Sequence, residues 1–106
     1  MQRNEKVANS IKELSALFLS RENNRTSLIT VTSCAVSPNL RRAIIFITVF
    51  PSVKEKPALD FIKRKLGSLR EFLKKSLPIK IIPFLSVTID QGEKNRQKID
   101  ELLREK

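Results

Sequence analysis

Histidine, tryptophan and tyrosine are absent from this chain of 106 residues, and cysteine and methionine each occur once. Without histidine and with a single thiol, the chain cannot form a zinc-finger ligand set, a Ser-His-Asp or Cys-His catalytic site, or a disulfide framework. No apolar run approaches the roughly 18 residues needed to span a bilayer. We therefore expect no enzyme activity, no cofactor, no bound metal and no membrane anchor.

The single cysteine, Cys34, lies in a run of mostly β-branched and small residues, 30–36. A half-buried strand position accounts for such a residue, and an unpaired thiol is typical of a reducing compartment. The first residues also lack the apolar stretch and small-residue cleavage site of a secretory signal. These features predict a cytoplasmic protein.

Positive charge is abundant and unevenly distributed. The chain has 21 Lys and Arg against 11 Asp and Glu, which gives a formal net charge of +10. Residues 54–80 hold nine bases and three acids, whereas residues 81–106 hold five of each. Since 41% of the residues are apolar, one core can form. The sequence predicts one domain over residues 1–106, with a basic patch that attracts an anionic partner.

Hydrophobic periodicity predicts the first half of the fold. Apolar residues at helical spacing predict a helix over about residues 3–20, and β-branched residues predict a strand over 28–36. Residues 43–50 are apolar at nearly every position, which is typical of a central strand buried on both faces.

A second helical segment begins at Pro57 and continues to about Leu77, with Gly67 in its middle. Because an interior glycine costs about 1 kcal/mol relative to alanine, we expect two short helices that meet at a kink there. Residues 79–89 predict a third strand, and Pro83 within it indicates an edge position or a bulge. A short helical tail over about 92–106 completes an α+β fold.

The strongest functional pattern is a basic stripe on the second helical segment. Lys63, Gly67, Arg70 and Lys74 stand at i, i+4, i+7 and i+11, beside the leucine face. Three cations thus surround a residue without a side chain, so a phosphate backbone can approach closely. The wider set of predicted RNA-binding residues adds Arg64, Lys65, Lys75 and Lys80, with Arg3, Lys6, Arg25, Arg41 and Arg42 as further candidates.

Two alternatives compete with that interpretation. A helix with one leucine face needs a solvated opposite face, which would account for any single lysine, although acids are scarce here. A basic module could also dock an acidic protein partner, with Phe61 and Phe72 as apolar anchors. We expect core packing, and not stacking on bases, for the phenylalanines in or next to apolar runs, which are Phe46, Phe50, Phe61, Phe72 and Phe84.

Several segments, in matching order and spacing, resemble the bacterial ribosome-binding factor A family. They are Val7-Ala8-Asn9, Val31-Thr32, Val36-Ser37-Pro38-Asn39-Leu40, residues 43–49, Leu59, Gly67-Ser68-Leu69-Arg70, Pro83 with Leu85, and Asp90. The resemblance implies a type-II KH-like domain with the order αββααβ, in which a kinked helix pair packs on a three-stranded mixed sheet.

The same resemblance implies a function and a partner. It implies a monomeric factor that binds the small ribosomal subunit and its ribosomal RNA, assists late maturation near the RNA 5′ end, and matters most in the cold. The chain departs from the family pattern at three positions: Lys65 replaces an alanine, Asn39 an aspartate and Phe84 a glutamate.

Overall fold

The chain folds as three helices around a three-stranded sheet in the computed structural model, which describes residues 3–22 and 27–104. The elements, in chain order, are α1 (Arg3–Glu22), β1 (Leu28–Val36), β2 (Arg42–Phe50), α2 (Glu55–Ser76), β3 (Phe84–Ile89) and α3 (Arg96–Leu103). Single 3₁₀ turns, Ser52–Lys54 and Gly92–Asn95, precede α2 and α3. The predicted α+β class is confirmed.

The sheet has the order β1-β2-β3. Strand β1 pairs antiparallel with β2, and β2 pairs parallel with β3, so the sheet is mixed. The predicted central position of β2 and edge position of β3 are both confirmed. Because α2 connects two parallel neighbours, it runs back along the sheet and its last turn lies near the start of β3.

Both faces of β2 are buried, against different helices. Ala43, Ile45 and Ile47 belong to the main core, which α1 and α2 cover. Ile44 and Phe46 point to the opposite face and pack with Leu102 of α3. The alternation follows from the two-residue period of a strand, and it explains why the sequence of β2 is apolar at nearly every position.

The prediction of two helices that meet at Gly67 is wrong, because α2 is one helix of 22 residues. Ile62 and Leu69, on either side of the glycine, are both 1% exposed. Burial of each such side chain contributes about 2 kcal/mol, which outweighs the cost of about 1 kcal/mol for one interior glycine. Gly67 itself is exposed, within an unbroken helix.

Strand β3 is shorter than predicted, since it begins at Phe84 and not at residue 79. Pro78 and Pro83 cannot donate a backbone N–H to a sheet ladder. The chain between them is a link that descends from α2 to the sheet, in which Ile82 is buried and Ile81 is exposed. This link brings Lys80 close to Arg3, at the N-terminal end of α1.

Candidate nucleic-acid interface

The basic stripe on α2 is accessible. Lys63, Gly67 and Lys74 are exposed and Arg70 is half-buried. The stripe is about 16 Å long, at 1.5 Å per residue. Within the described residues, no carboxylate lies within ion-pair distance of Lys63 or Lys74. The ion pair between Glu93 and Arg96 lies elsewhere, where the 3₁₀ turn meets α3. The positive charge of the stripe is therefore directed to solvent.

Arg70 connects the stripe to the link before β3. One terminal guanidinium N–H donates to the Pro83 carbonyl oxygen at 3.0 Å. An arginine side chain has five N–H donors, so this bond leaves donors for an anion while it fixes the direction of the guanidinium plane. The side chain is thus held at the border between α2 and the start of β3.

Lys65 does not join the stripe. Its ammonium nitrogen lies 5.8 Å from the centroid of the Phe61 ring, one turn earlier on α2. A cation over an aromatic face at this distance is attracted by the ring quadrupole. Arg64 and Lys75 are exposed but stand about 100° and 120° around the helix from Lys63, at 100° per residue. These three residues extend the charge around α2 and do not line the same surface.

A shallow groove of about 190 Å³ adjoins the stripe, and we call it the Gly67 groove. It is lined by Leu66, Gly67, Arg70, Phe84 and Leu85, so it lies between α2 and the open edge of β3. A Cβ built on Gly67 would meet no atom within 4 Å. The missing side chain therefore leaves open space beside the cations, as the sequence predicts for a close approach.

The turn between β1 and β2 positions a second cationic region. The buried Ser37 hydroxyl donates to the Asn39 side-chain oxygen at 2.6 Å and accepts the backbone N–H groups of Arg41 and Arg42. The same Asn39 oxygen also accepts the Arg41 N–H at 3.1 Å. Both bonds to Asn39 need only an acceptor oxygen, so its amide oxygen can replace a carboxylate oxygen of the aspartate that is common at this position.

That turn contributes to a larger groove of about 480 Å³, which we call the three-cation groove. It is lined by Arg3, Asn39, Leu40, Arg41, Pro78, Ile79, Lys80 and Ile81. Three predicted RNA-binding cations, from α1, the turn and the link, thus face one depression. No carboxylate is among the described residues that line it.

The two grooves meet at the start of β3. The Phe84 backbone N–H donates to the Arg41 carbonyl oxygen at 2.7 Å, so a residue of the Gly67 groove is bonded to a residue of the three-cation groove. Of the other candidates, Lys6 and Arg42 are exposed but line neither groove. Arg25 lies outside the described residues.

The prediction that Phe50 and Phe84 pack in the core is wrong. Phe50 is 73% exposed and Phe84 is 70% exposed. In β3, the buried Leu85 and Val87 alternate with Phe84, which therefore points away from the main core. The sequence shows the same alternation, which places Phe84 with Ser86 and Thr88 on the more polar face of β3.

The two phenylalanines considered as protein-docking anchors are not exposed. The Phe72 ring lies against Phe18, with the centroids 5.7 Å apart. Phe61 is half-buried against the main core. The exposed apolar residues at the far end of the sheet are instead Leu28, Phe50 and Val53, of which Leu28 and Phe50 are cross-strand partners.

Asp90 is a structural carboxylate at the end of β3. Its side chain accepts hydrogen bonds from the Thr32 hydroxyl, the Gly92 backbone N–H and the Asn95 amide. The bonds from Thr32 and Gly92 hold the pKa of Asp90 below its usual range. These contacts tie the 3₁₀ turn before α3 to the sheet.

The single thiol, Cys34, lies within β1. Burial raises its pKa to about 12, so the sulfur stays protonated at neutral pH. The residue occupies a half-buried position in β1, as predicted. Over the described part of the chain, no cluster of three potential metal ligands occurs. None of the described helices is long and apolar enough to cross a membrane.

The fold and the surface define a small α+β protein with a group of exposed cations around α2 and the start of β3. The family model described as ribosome-binding factor A matches residues 3–103. A ribosome-binding factor A from Geobacter metallireducens is 31% identical over 98% of this chain and 91% of its own length. This chain belongs to the ribosome-binding factor A family.

A second relative and a solved structure are also similar to this chain. A ribosome-binding factor A from Coxiella burnetii is 27% identical over 96% of this chain and 87% of its own. The crystal structure of ribosome-binding factor A from Thermus thermophilus superposes with a TM-score of 0.75 at 17% identity, and it covers 84% of this chain and 98% of that chain. The superposition supports the fold.

Proposed function

We propose that this protein is a non-catalytic assembly factor that binds the ribosomal RNA of an immature small ribosomal subunit. One observation carries the proposal: the α2 stripe, the Gly67 groove and the three-cation groove adjoin at the start of β3. Membership of the ribosome-binding factor A family supports the ribosome as the partner, since its relatives bear that name.

Phosphate neutralisation is the proposed basis of affinity. Lys63 and Lys74 contact phosphates along α2, and Arg70, already oriented by its bond to Pro83, receives one more. Arg3, Arg41 and Lys80 hold the strand where it crosses the three-cation groove. Contacts to phosphate give affinity and orientation, whereas they carry little sequence information.

Differential binding is the proposed mechanism. The factor stabilises one conformation of the immature RNA because its cations match the phosphate positions of that conformation. When the RNA reaches its mature conformation, the match is lost and the factor leaves. This mechanism requires no bond to be made or broken by the protein.

The finer part of the proposal follows the family resemblance. We propose that the protein, as a cytoplasmic monomer with a KH-like fold, assists late maturation of the small-subunit ribosomal RNA near its 5′ end. We propose that the requirement for the protein increases in the cold, because misfolded RNA conformations exchange more slowly at low temperature. Growth at low temperature and the length of the RNA 5′ end, measured with and without the protein, test it.

The salt dependence of binding tests the phosphate contacts. Affinity falls as salt rises, so the slope of log affinity against log salt is negative. We expect Lys63→Ala, Arg70→Ala and Lys74→Ala each to reduce the magnitude of that slope by about 0.7 to 0.9 on purified immature small subunits. Lys94→Ala is the matched control, since it removes one exposed charge from the turn before α3. Unchanged slopes for all three stripe variants would contradict the assignment of Lys63, Arg70 and Lys74 as phosphate contacts.

Nuclease digestion separates RNA from a protein partner. We expect co-sedimentation with the immature subunit to disappear once its RNA is thoroughly digested. If the protein still binds the remaining ribosomal proteins, an acidic protein surface is the partner and the RNA proposal fails. Size-exclusion chromatography with light scattering measures whether the factor itself is monomeric.

A further inference from the structure

We infer that Phe84 is a stacking platform for one unpaired nucleobase of the bound RNA. The inference rests on the proposed function, because it requires an RNA strand on the neighbouring cations. It adds a class of contact that phosphate neutralisation lacks, namely recognition of a flat aromatic base. The protein then prefers single-stranded RNA over a duplex of equal charge.

The exposure of Phe84 is the first observation. A phenylalanine that is 70% exposed leaves a large apolar area in water, at roughly 25 cal/mol for each Å². Leu85 and Val87 of the same strand are buried in the core. Phe84 occupies the position between Pro83 and Leu85 and contributes nothing comparable to that core. Binding of an aromatic partner would cover this ring.

The surroundings of Phe84 supply the second observation. Gly67 leaves the helix side of the groove open, and a Cβ there would meet no atom within 4 Å. The opposite side is the edge of the sheet, because β3 pairs only with β2 among the described strands. A groove of about 190 Å³ is smaller than the sites that enclose drug-sized molecules, which favours a single ring as occupant.

Charge selects a nucleotide as that occupant. Arg70 lines the same groove, and its guanidinium is held 3.0 Å from the carbonyl oxygen of Pro83, the residue before Phe84. On the other side, the Phe84 N–H is bonded to the carbonyl oxygen of Arg41, which lines the three-cation groove. An aromatic ring between two cationic regions matches a base between two phosphates.

The other exposed apolar residues provide a contrast. Leu28 and Phe50 lie at the far end of the sheet from Phe84, since Phe84 pairs with Arg42 at the opposite end of β2. The eight residue steps from Arg42 to Phe50 extend about 26 Å at roughly 3.3 Å per step. Phe50 therefore serves as a matched control: it is as exposed as Phe84 but lies outside both grooves.

Binding of a short single-stranded oligoribonucleotide that contains one 2-aminopurine tests the inference. Stacking of one base on an aromatic side chain contributes a factor of about 5 to 160 in affinity, and we expect Phe84→Ala to lose that factor. The salt slope stays unchanged, because no phosphate contact is removed. The 2-aminopurine fluorescence is quenched by the native protein and by Phe84→Trp, but not by Phe84→Leu, which is apolar without a π-face.

The control results separate the two hypotheses. Phe50→Ala retains native affinity if the effect belongs to the groove, and thermal unfolding of each variant verifies that it is folded. Native affinity in Phe84→Ala, or full affinity and quenching in Phe84→Leu, overturns the stacking platform. The proposed function stands in that case if the salt slope still becomes shallower in the three stripe variants, Lys63→Ala, Arg70→Ala and Lys74→Ala. If the native protein binds neither the oligoribonucleotide nor the immature subunit, both fail together.

Discussion

Helices α2 and α3 lie on opposite faces of the same sheet and differ in both packing and charge. The main core under α2 includes Ile62, Leu69 and Leu73, whereas α3 is held by a small cluster of Leu102 with Ile44 and Phe46. The segment 54–80 holds nine bases and three acids, and residues 81–106 hold five of each.

The difference separates binding from anchoring. Because α2 is fixed by its leucine face, its remaining surface can keep exposed cations without loss of the helix. The α3 region has a smaller apolar contact and relies on hydrogen bonds around Asp90 as well. We therefore expect changes in α2 to alter RNA affinity and changes in the α3 region to alter stability alone.

The largest expected effect is in the core under α2. Leu73 is 0% exposed, so Leu73→Ala should lower the free energy of unfolding by about 4 kcal/mol through lost burial and an added cavity. Urea denaturation followed by circular dichroism measures it. A loss below about 1 kcal/mol would contradict the packing described for α2.

The corresponding change in α3 should cost less. Leu102 is 2% exposed but packs in the smaller cluster, where the short helix can shift into the space, so we expect about 2 to 3 kcal/mol for Leu102→Ala. RNA affinity, measured well below the melting temperature, should stay within twofold of the native value. A loss of affinity without unfolding would break the separation between the two faces.

Acid should weaken the α3 region through Asp90. Its pKa is lowered in the folded state, so the unfolded chain takes up more protons as the pH falls. The stabilisation is complete well above the ordinary aspartate pKa of about 3.9 and is lost as the pH falls towards the lower folded pKa. Asp90→Asn should cost about 1 kcal/mol at pH 7, since the amide oxygen can still accept from Gly92 and Asn95, and it should flatten this acid dependence in pH-dependent melting. An unchanged pH profile would exclude Asp90 as its source.

Gly67→Ala should move stability and binding in opposite directions. Alanine in the exposed helix meets no neighbour, so we expect a gain of about 1 kcal/mol in the free energy of unfolding. The added methyl group enters the Gly67 groove, which should weaken RNA binding several-fold. Melting curves and binding isotherms on the same preparation measure both, and tighter binding would contradict a close approach at this position.

The smallest expected effect is on the helix that lies beside α2. Ser15 of α1 is 0% exposed, and its hydroxyl has no hydrogen-bond partner within the described residues. Ser15→Ala should raise the free energy of unfolding by about 0.5 to 1 kcal/mol, since an unsatisfied buried hydroxyl is removed. Thermal unfolding measures the change, and RNA affinity should not respond. A destabilised variant would indicate a bound water at that hydroxyl.

Local patterns predicted most of the fold. Residues 28–36 form β1 as the β-branched run predicts, and the apolar run of β2 is buried on both faces. The prediction at Gly67 is wrong because the local cost of about 1 kcal/mol is smaller than the stabilisation from burial of Ile62 and Leu69, which depends on the tertiary structure. The predicted start of β3, at residue 79, lies before the observed start at Phe84. The reason is that an apolar link with prolines resembles a strand in composition.

Composition and helical spacing are enough to establish that this protein is basic, that its charge is concentrated in residues 54–80, and that Gly67 stands among cations on one helix. Those properties depend on composition and on the helical period, which are local. Only the tertiary structure brought Arg3, Arg41 and Lys80 to one groove and left the Phe84 ring exposed beside Arg70. Strand order and the path of the link decide such proximity, because they join residues that are distant along the chain.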